Sequence, residues 1–121
     1  WVMTGSDGSS GHPRLYGTYP KAWADFVETG LMSVSRFVHR SSGQVADTFG
    51  LCDRGYLRDG AMADIAVIDP ERFRANATYE SPTELSDGVA FLLVNGVIVI
   101  DNNNYTGALP GQVFRHSSCN D

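Results

Sequence analysis

The sequence lacks a long apolar run, a cluster of basic residues, an internal repeat and any sizeable stock of cysteine. Each absence excludes something. The longest apolar stretches, Val89–Val94 and residues 97–100, are far too short to span a bilayer. The formal net charge is −5, from 9 Lys and Arg against 14 Asp and Glu. With no basic cluster, neither nucleic acid nor an anionic membrane is expected as a partner. Cys52 and Cys119 are the only cysteines. Without C-x-x-C spacing they suggest neither a disulfide framework nor a zinc knuckle, and two unpaired thiols in a reducing cytoplasm are expected. The three histidines, His12, His39 and His116, show neither H-x-H nor H-x-x-x-H spacing, so no metal site assembles locally. No charged segment followed by an apolar run and a small-residue cleavage site is present, so no signal peptide is read and a cytoplasmic location is expected. The chain opens on Trp1 without Met, inside what reads as a structural element.

What remains is ordinary globular material: 42% hydrophobic and 19% charged residues in 121 positions, enough for one modest core. Two textures divide it. Residues 1–4 read as the end of a buried strand, and residues 5–11 as a Gly/Ser loop continued by His12-Pro13. Pro20 suits the first turn of a helix. Ala22, Trp23, Phe26 and Val27 then recur at helical spacing, up to a C-cap at Gly30. Ser33 is placed to cap a second helix, with Val34, Phe37 and Val38 on one face and Ser42-Gly43 as its end. Residues 45–49 suggest one more short turn. Beyond them the chain reads as β. Residues 63–68 hold a short apolar run closed by Asp69-Pro70, and Val89–Val94 and residues 97–100 flank Asn95-Gly96. That pair is the strongest short hairpin signal, because both turn positions need positive φ. Residues after Arg115 are expected to fray. A few strands and two helices cannot cover both faces of a sheet, so each half reads as part of something larger.

Four stretches together resemble one family. Gly5-Ser6-Asp7-Gly8 with His12-Pro13-Arg14-Leu15-Tyr16-Gly17-Thr18 is similar to the last barrel strand and following loop of the D-aminoacylases (N-acyl-D-amino-acid deacylases) of the amidohydrolase superfamily. Arg54-Gly55-Tyr56-Leu57-Arg58-Asp59-Gly60, leading into Ala63-Asp64-Ile65-Ala66-Val67-Ile68-Asp69, resembles the return from barrel to small β-domain. Val94-Asn95-Gly96-Val97 resembles a hairpin near the end of those enzymes, and Thr106-Gly107-Ala108-Leu109-Pro110-Gly111 their closing segment. The matches are collinear. The resemblance implies an α/β fold: the C-terminal part of a (β/α)8 metal-dependent hydrolase barrel plus the C-terminal strands of its small β-sandwich domain. Residues 1–51 would carry the last strand, catalytic loop and helices, and residues 52–121 the sandwich strands.

The same resemblance implies zinc-dependent hydrolysis of the amide bond of N-acyl-D-amino acids to a carboxylate and a D-amino acid. Zinc acidifies a water and polarises the carbonyl. Its ligands are expected upstream of this chain, which alone should be inactive. A carboxylate then carries a proton to the leaving amine, and Asp7 matches it. Arg14 matches the arginine that grips the substrate carboxylate through paired N–H donors. His12 joins them as a candidate substrate-binding residue, although shaping the loop is its plainer role. The loop from Asp7 to His12 is several residues shorter than is usual in the family. Read without the resemblance, Asp7 is a turn residue in a Gly/Ser loop and Asp64 holds a strand entry. Asn95 and Gly96 are turn chemistry. The glycines at 5, 8 and 11 lack the G-K-[ST] ending of a phosphate loop. Two alternatives stand beside the deacylase: a stand-alone, non-catalytic β-rich binding or assembly module, and a dihydroorotase- or hydantoinase-like branch of the amidohydrolases.

Overall fold

The computed structural model describes residues 2–114. The tail expected to fray, with His116 and Cys119, lies outside the described residues. Helices occupy the first part, and an antiparallel sheet the second, giving an α/β chain. In the first, α1 (Arg14–Ala22) runs without a break into a π-helical segment, Trp23–Glu28, followed by α2 (Val34–Ser41) and α3 (Gly43–Phe49). In the second, β1 (Ile65–Ile68), β2 (Val89–Val94), β3 (Val97–Asp101) and β4 (Asn104–Tyr105) form a meander in the order β1-β2-β3-β4. Among the described residues no helix is long and apolar enough to cross a membrane.

Several local expectations hold. The Ser33 hydroxyl accepts from Arg36 N–H at 3.3 Å and caps α2. Gly30 turns the chain at φ 76°, with its N–H on Val27 C=O. Asn95 and Gly96 have φ of 51° and 77°, as a two-residue hairpin turn between β2 and β3 requires. Residues 45–49 fall within α3.

Other expectations give way. The first helix begins at Arg14, so Pro20 sits inside it rather than in its first turn. Proline has no N–H, and the Tyr16 carbonyl one turn earlier loses its helical donor. The Ser86 hydroxyl, 70 residues later, fills that vacancy at 2.6 Å from Tyr16 O. Residues 2–9 form no strand: a strand needs a neighbouring strand to take its N–H and C=O groups, and here Thr4 N–H reaches the Arg40 carbonyl while the hydroxyls of Tyr19 and Ser41 serve the rest of Thr4. Val34 and Val38 are about half exposed, and of the expected face only Phe37 is buried. Cys52 is disulfide-bonded rather than a free thiol. Isolated cysteines carry no spacing signal for a bond that only the fold creates, and the thiol argument for a reducing compartment falls with it.

The core is small. Trp23 meets Phe37 edge to face at 5.4 Å and Phe73 at 6.0 Å, with Ala22, Val27, Met32, Ile68 and Val89 packed around them. It therefore welds the helices to the end of the sheet. Among the described residues no side chain is less than 2% exposed. On β3 the consecutive residues Val97 and Ile98, which point to opposite faces of the sheet, are each nearly half exposed.

Candidate functional site

The three residues selected from the sequence come together at the start of α1. Asp7 lies in the Gly/Ser loop with φ 43°, a left-handed conformation that Asp tolerates better than most residues. Its carboxylate is 3.2 Å from an Arg14 Nη, with side-chain exposures of 88% for Asp7 and 39% for Arg14. A second Arg14 Nη donates to the Ser9 hydroxyl at 3.2 Å. Arg14 Nε is buried and has no hydrogen-bond partner among the described residues. The guanidinium thus retains donor capacity.

His12 works on the backbone. Pro13 precedes α1 and offers no capping side chain, so the N–H of Arg14 would be an orphan of the first turn. The His12 Nδ1 accepts it at 3.1 Å. The other ring nitrogen, Nε2, lies 3.3 Å from the Tyr79 hydroxyl, and the two rings meet edge to face at 5.2 Å. A groove of about 480 Å³ opens beside these residues, between α1 and residues 75–80, lined by His12, Arg14, Thr18, Asp25, Ala77 and Tyr79 among others. Gly17 lets the helix approach that wall: a Cβ there would lie 3.2 Å from the Ala75 Cβ.

A second polar cluster sits at the other end of the sheet. Arg54, only 8% exposed, pairs with Asp64, donates to Asn95 Oδ1 at 2.6 Å, and lies 3.9 Å over the Phe114 ring. Asp64 Oδ1 accepts Asn95 N–H at 2.7 Å. Asn95 Nδ2 reaches the Pro110 carbonyl at 2.7 Å. Asp64 and Asn95 thus hold a strand entry and a turn, as read from the sequence. Arg54 was not singled out there. Its signal was present: an arginine in the segment leading to the Ala63-Asp64 strand, with an acidic partner ten residues on. Among the described residues no group of three or more His, Cys, Asp or Glu could hold a metal ion.

The chain matches no family model. It is similar to a D-aminoacylase of Alcaligenes xylosoxydans xylosoxydans, with 36% identity over 97% of this chain and 25% of that protein. An N-acyl-D-aspartate deacylase of the same organism is also 36% identical, over 93% of this chain and 24% of that protein. Among solved structures, a D-aminoacylase described as defining a novel subset of amidohydrolases superposes with a TM-score of 0.81 and 37% identity, covering 88% of this chain and 23% of that one. The N-acyl-D-glutamate deacylase from Bordetella bronchiseptica, complexed with zinc and a phosphonate inhibitor, gives 0.76 and 39%, covering 80% and 22%. The chain spans about a quarter of the length of the relatives it matches.

Proposed function

Because this chain belongs to the D-aminoacylase family over the quarter of those proteins that it spans, we propose that it is the C-terminal portion of a zinc-dependent amidohydrolase that cleaves N-acyl-D-amino acids. Residues 1–51 would carry the last barrel strand, the catalytic loop and helices, and residues 52–121 the C-terminal part of the β-sandwich. In this reading Asp7 is the proton carrier and Arg14 the carboxylate clamp, with a small N-acyl-D-amino acid as the partner.

The observation that carries the reading is the 3.2 Å pair of Asp7 and Arg14. The leaving nitrogen and the carboxylate of an amino acid hang on one Cα, roughly 2.5 Å apart by bond geometry. A group that protonates the nitrogen and a group that grips the carboxylate must therefore be neighbours. The substrate carboxylate would replace Asp7 on the guanidinium, whose planar fork suits two-point binding. Asp7, released from the ion pair, would take a proton from the attacking water and pass it to the amide nitrogen as the C–N bond breaks. His12 supports the clamp from behind by capping the backbone of Arg14.

The described residues do not fit a zinc ion, as they assemble no set of three ligating side chains. Its ligands would belong to the part of the enzyme that this chain does not span. The 121-residue chain with added zinc should accordingly release no D-amino acid. The test is a substrate panel on the longest open frame carrying this chain: N-acyl-D-amino acids, their L-isomers, a dihydroorotate and a hydantoin. Release of D-amino acid alone is expected, and Asp7→Asn should lower kcat by about a hundredfold or more. Turnover of the cyclic amides in preference, or an Asp7→Asn variant with unaltered kcat, would sink the reading.

A further inference from the structure

We propose that Tyr79 is a positioning residue for the substrate clamp, acting on Arg14 through His12. The inference rests, in its kinetic part, on Arg14 being the carboxylate clamp; its structural part does not.

Two contacts link Tyr79 to Arg14 through the His12 ring. His12 Nδ1 accepts the N–H of Arg14, so this nitrogen carries no proton. A neutral imidazole then keeps its proton on Nε2. Nε2 faces the Tyr79 hydroxyl at 3.3 Å, so Nε2–H is the donor and the phenol oxygen the acceptor. The Arg14 N–H, which can only donate, sets this tautomer; a hydroxyl would serve either, and what Tyr79 adds is an anchor that holds the ring with Nδ1 turned to Arg14. Take the hydroxyl away, and the ring is free to swing off the Arg14 N–H. A released ring then exchanges between both tautomers, and the first turn of α1 loses its cap. Arg14 is the first residue of α1, so the loss falls where the guanidinium is aimed.

Tyr79 belongs to the second half of the chain, 67 residues from His12. The segment around it is held against α1 by independent contacts: Ser86 on the Tyr16 carbonyl, and Ala75 against Gly17. Two parts of the chain with separate textures thus meet behind one arginine. Tyr79 is itself 73% exposed, so removing its hydroxyl leaves the core untouched and Tyr79→Phe keeps the ring contact.

Two measurements test this. The first uses the chain itself: ¹⁵N spectra of the histidine rings at neutral pH. His12 is expected in the Nε2–H tautomer, and in Tyr79→Phe as a mixture of tautomers. An unchanged His12 spectrum in the variant would overturn the proposal. The second uses the deacylase that carries the chain. Tyr79→Phe should raise KM for an N-acyl-D-amino acid about fivefold to tenfold, the worth of one hydrogen bond, with kcat nearly unchanged. The rise should vanish for the corresponding carboxamide, which offers no carboxylate. Asn at position 12 caps a helix without help, so Tyr79→Phe should be silent in a His12→Asn background. Arg14→Lys is the reference. If it raises KM and Tyr79→Phe does not, the relay falls while the clamp stands. If neither does, the deacylase reading of Arg14 falls and takes the kinetic role of Tyr79 with it; the ring spectra then still decide the tautomer.

Discussion

Among the described residues two arginines pair with aspartates, Arg54 with Asp53 and Asp64 and Arg14 with Asp7, and the two sites are built oppositely. Arg54 is 8% exposed and Asp64 34%. Arg54 is further tied to Asn95 and covered by Phe114. Arg14 and Asp7 are 39% and 88% exposed, and a lone hydroxyl assists them. A buried pair cannot exchange partners, because any interval without one leaves charge in a poor solvent. An exposed pair is held weakly and can be traded for a ligand at little cost. The same two residue types therefore serve as a fastener in one place and as a latch in the other.

Breaking the fastener should have the larger effect on folding. Arg54→Ala takes the partner from Asp64 Oδ2 and from the Asn95 side-chain oxygen together, and should destabilise the chain by about 3 kcal/mol in urea denaturation. A loss under about 1 kcal/mol would mean that the two pairs do not differ in kind. The complementary variant, Arg14→Ala, should shift the same transition by no more than about 0.5 kcal/mol. Added salt should erase even that, since an exposed pair is screened over about 10 Å at 0.1 M.

The smallest effect tests a third contact, outside both pairs. The Tyr56 hydroxyl donates to Asp47 at 2.7 Å. That hydrogen bond, followed by desolvation and by the Asp47 charge, raises the phenol above its usual value of 10.0. A raised folded-state value means that the neutral phenol is the form the fold prefers. The contribution is then complete below pH 10 and is lost as pH climbs through the raised value. Wild type and Tyr56→Phe should converge in stability only in that alkaline range. Asp47→Asn should bring the spectrophotometric titration of Tyr56 downward.

The parts of this structure that were legible in the sequence are those with local causes. Asn95-Gly96 announces a turn because both residues enter positive φ readily, and Ser33 announces a helix start because its hydroxyl reaches the third N–H onward. The illegible parts have distant causes. A proline inside a helix reads as a boundary, until a serine 70 residues later takes the carbonyl it leaves unpaired. A histidine is not a usual helix cap, and His12 acts as one with Tyr79 behind it. β4 is two polar-looking residues, Asn104–Tyr105, with no alternation to read. Phe73 is buried amid charged neighbours and gave no periodic signal. Of the candidate site, the residue types were legible from the resemblance, and their closeness was not. The four motifs of that resemblance also turn out to divide. One surrounds Asp7 and Arg14, while the other three supply Arg54, Asp64, Asn95 and Pro110 and converge on the fastener.

The Asn95-Gly96 turn has one more consequence, for how the protein ages. Asparagine before glycine is the dipeptide most prone to lose its amide, because the glycine nitrogen meets little hindrance in attacking the side-chain carbonyl. Here that carbonyl oxygen is held by Arg54 at 2.6 Å and the amide nitrogen by Pro110 at 2.7 Å. The attack needs the side chain to rotate, and rotation breaks both bonds. Deamidation at Asn95 should therefore proceed only from molecules in which this corner has opened, and its accumulation in stored protein would count those openings like a clock.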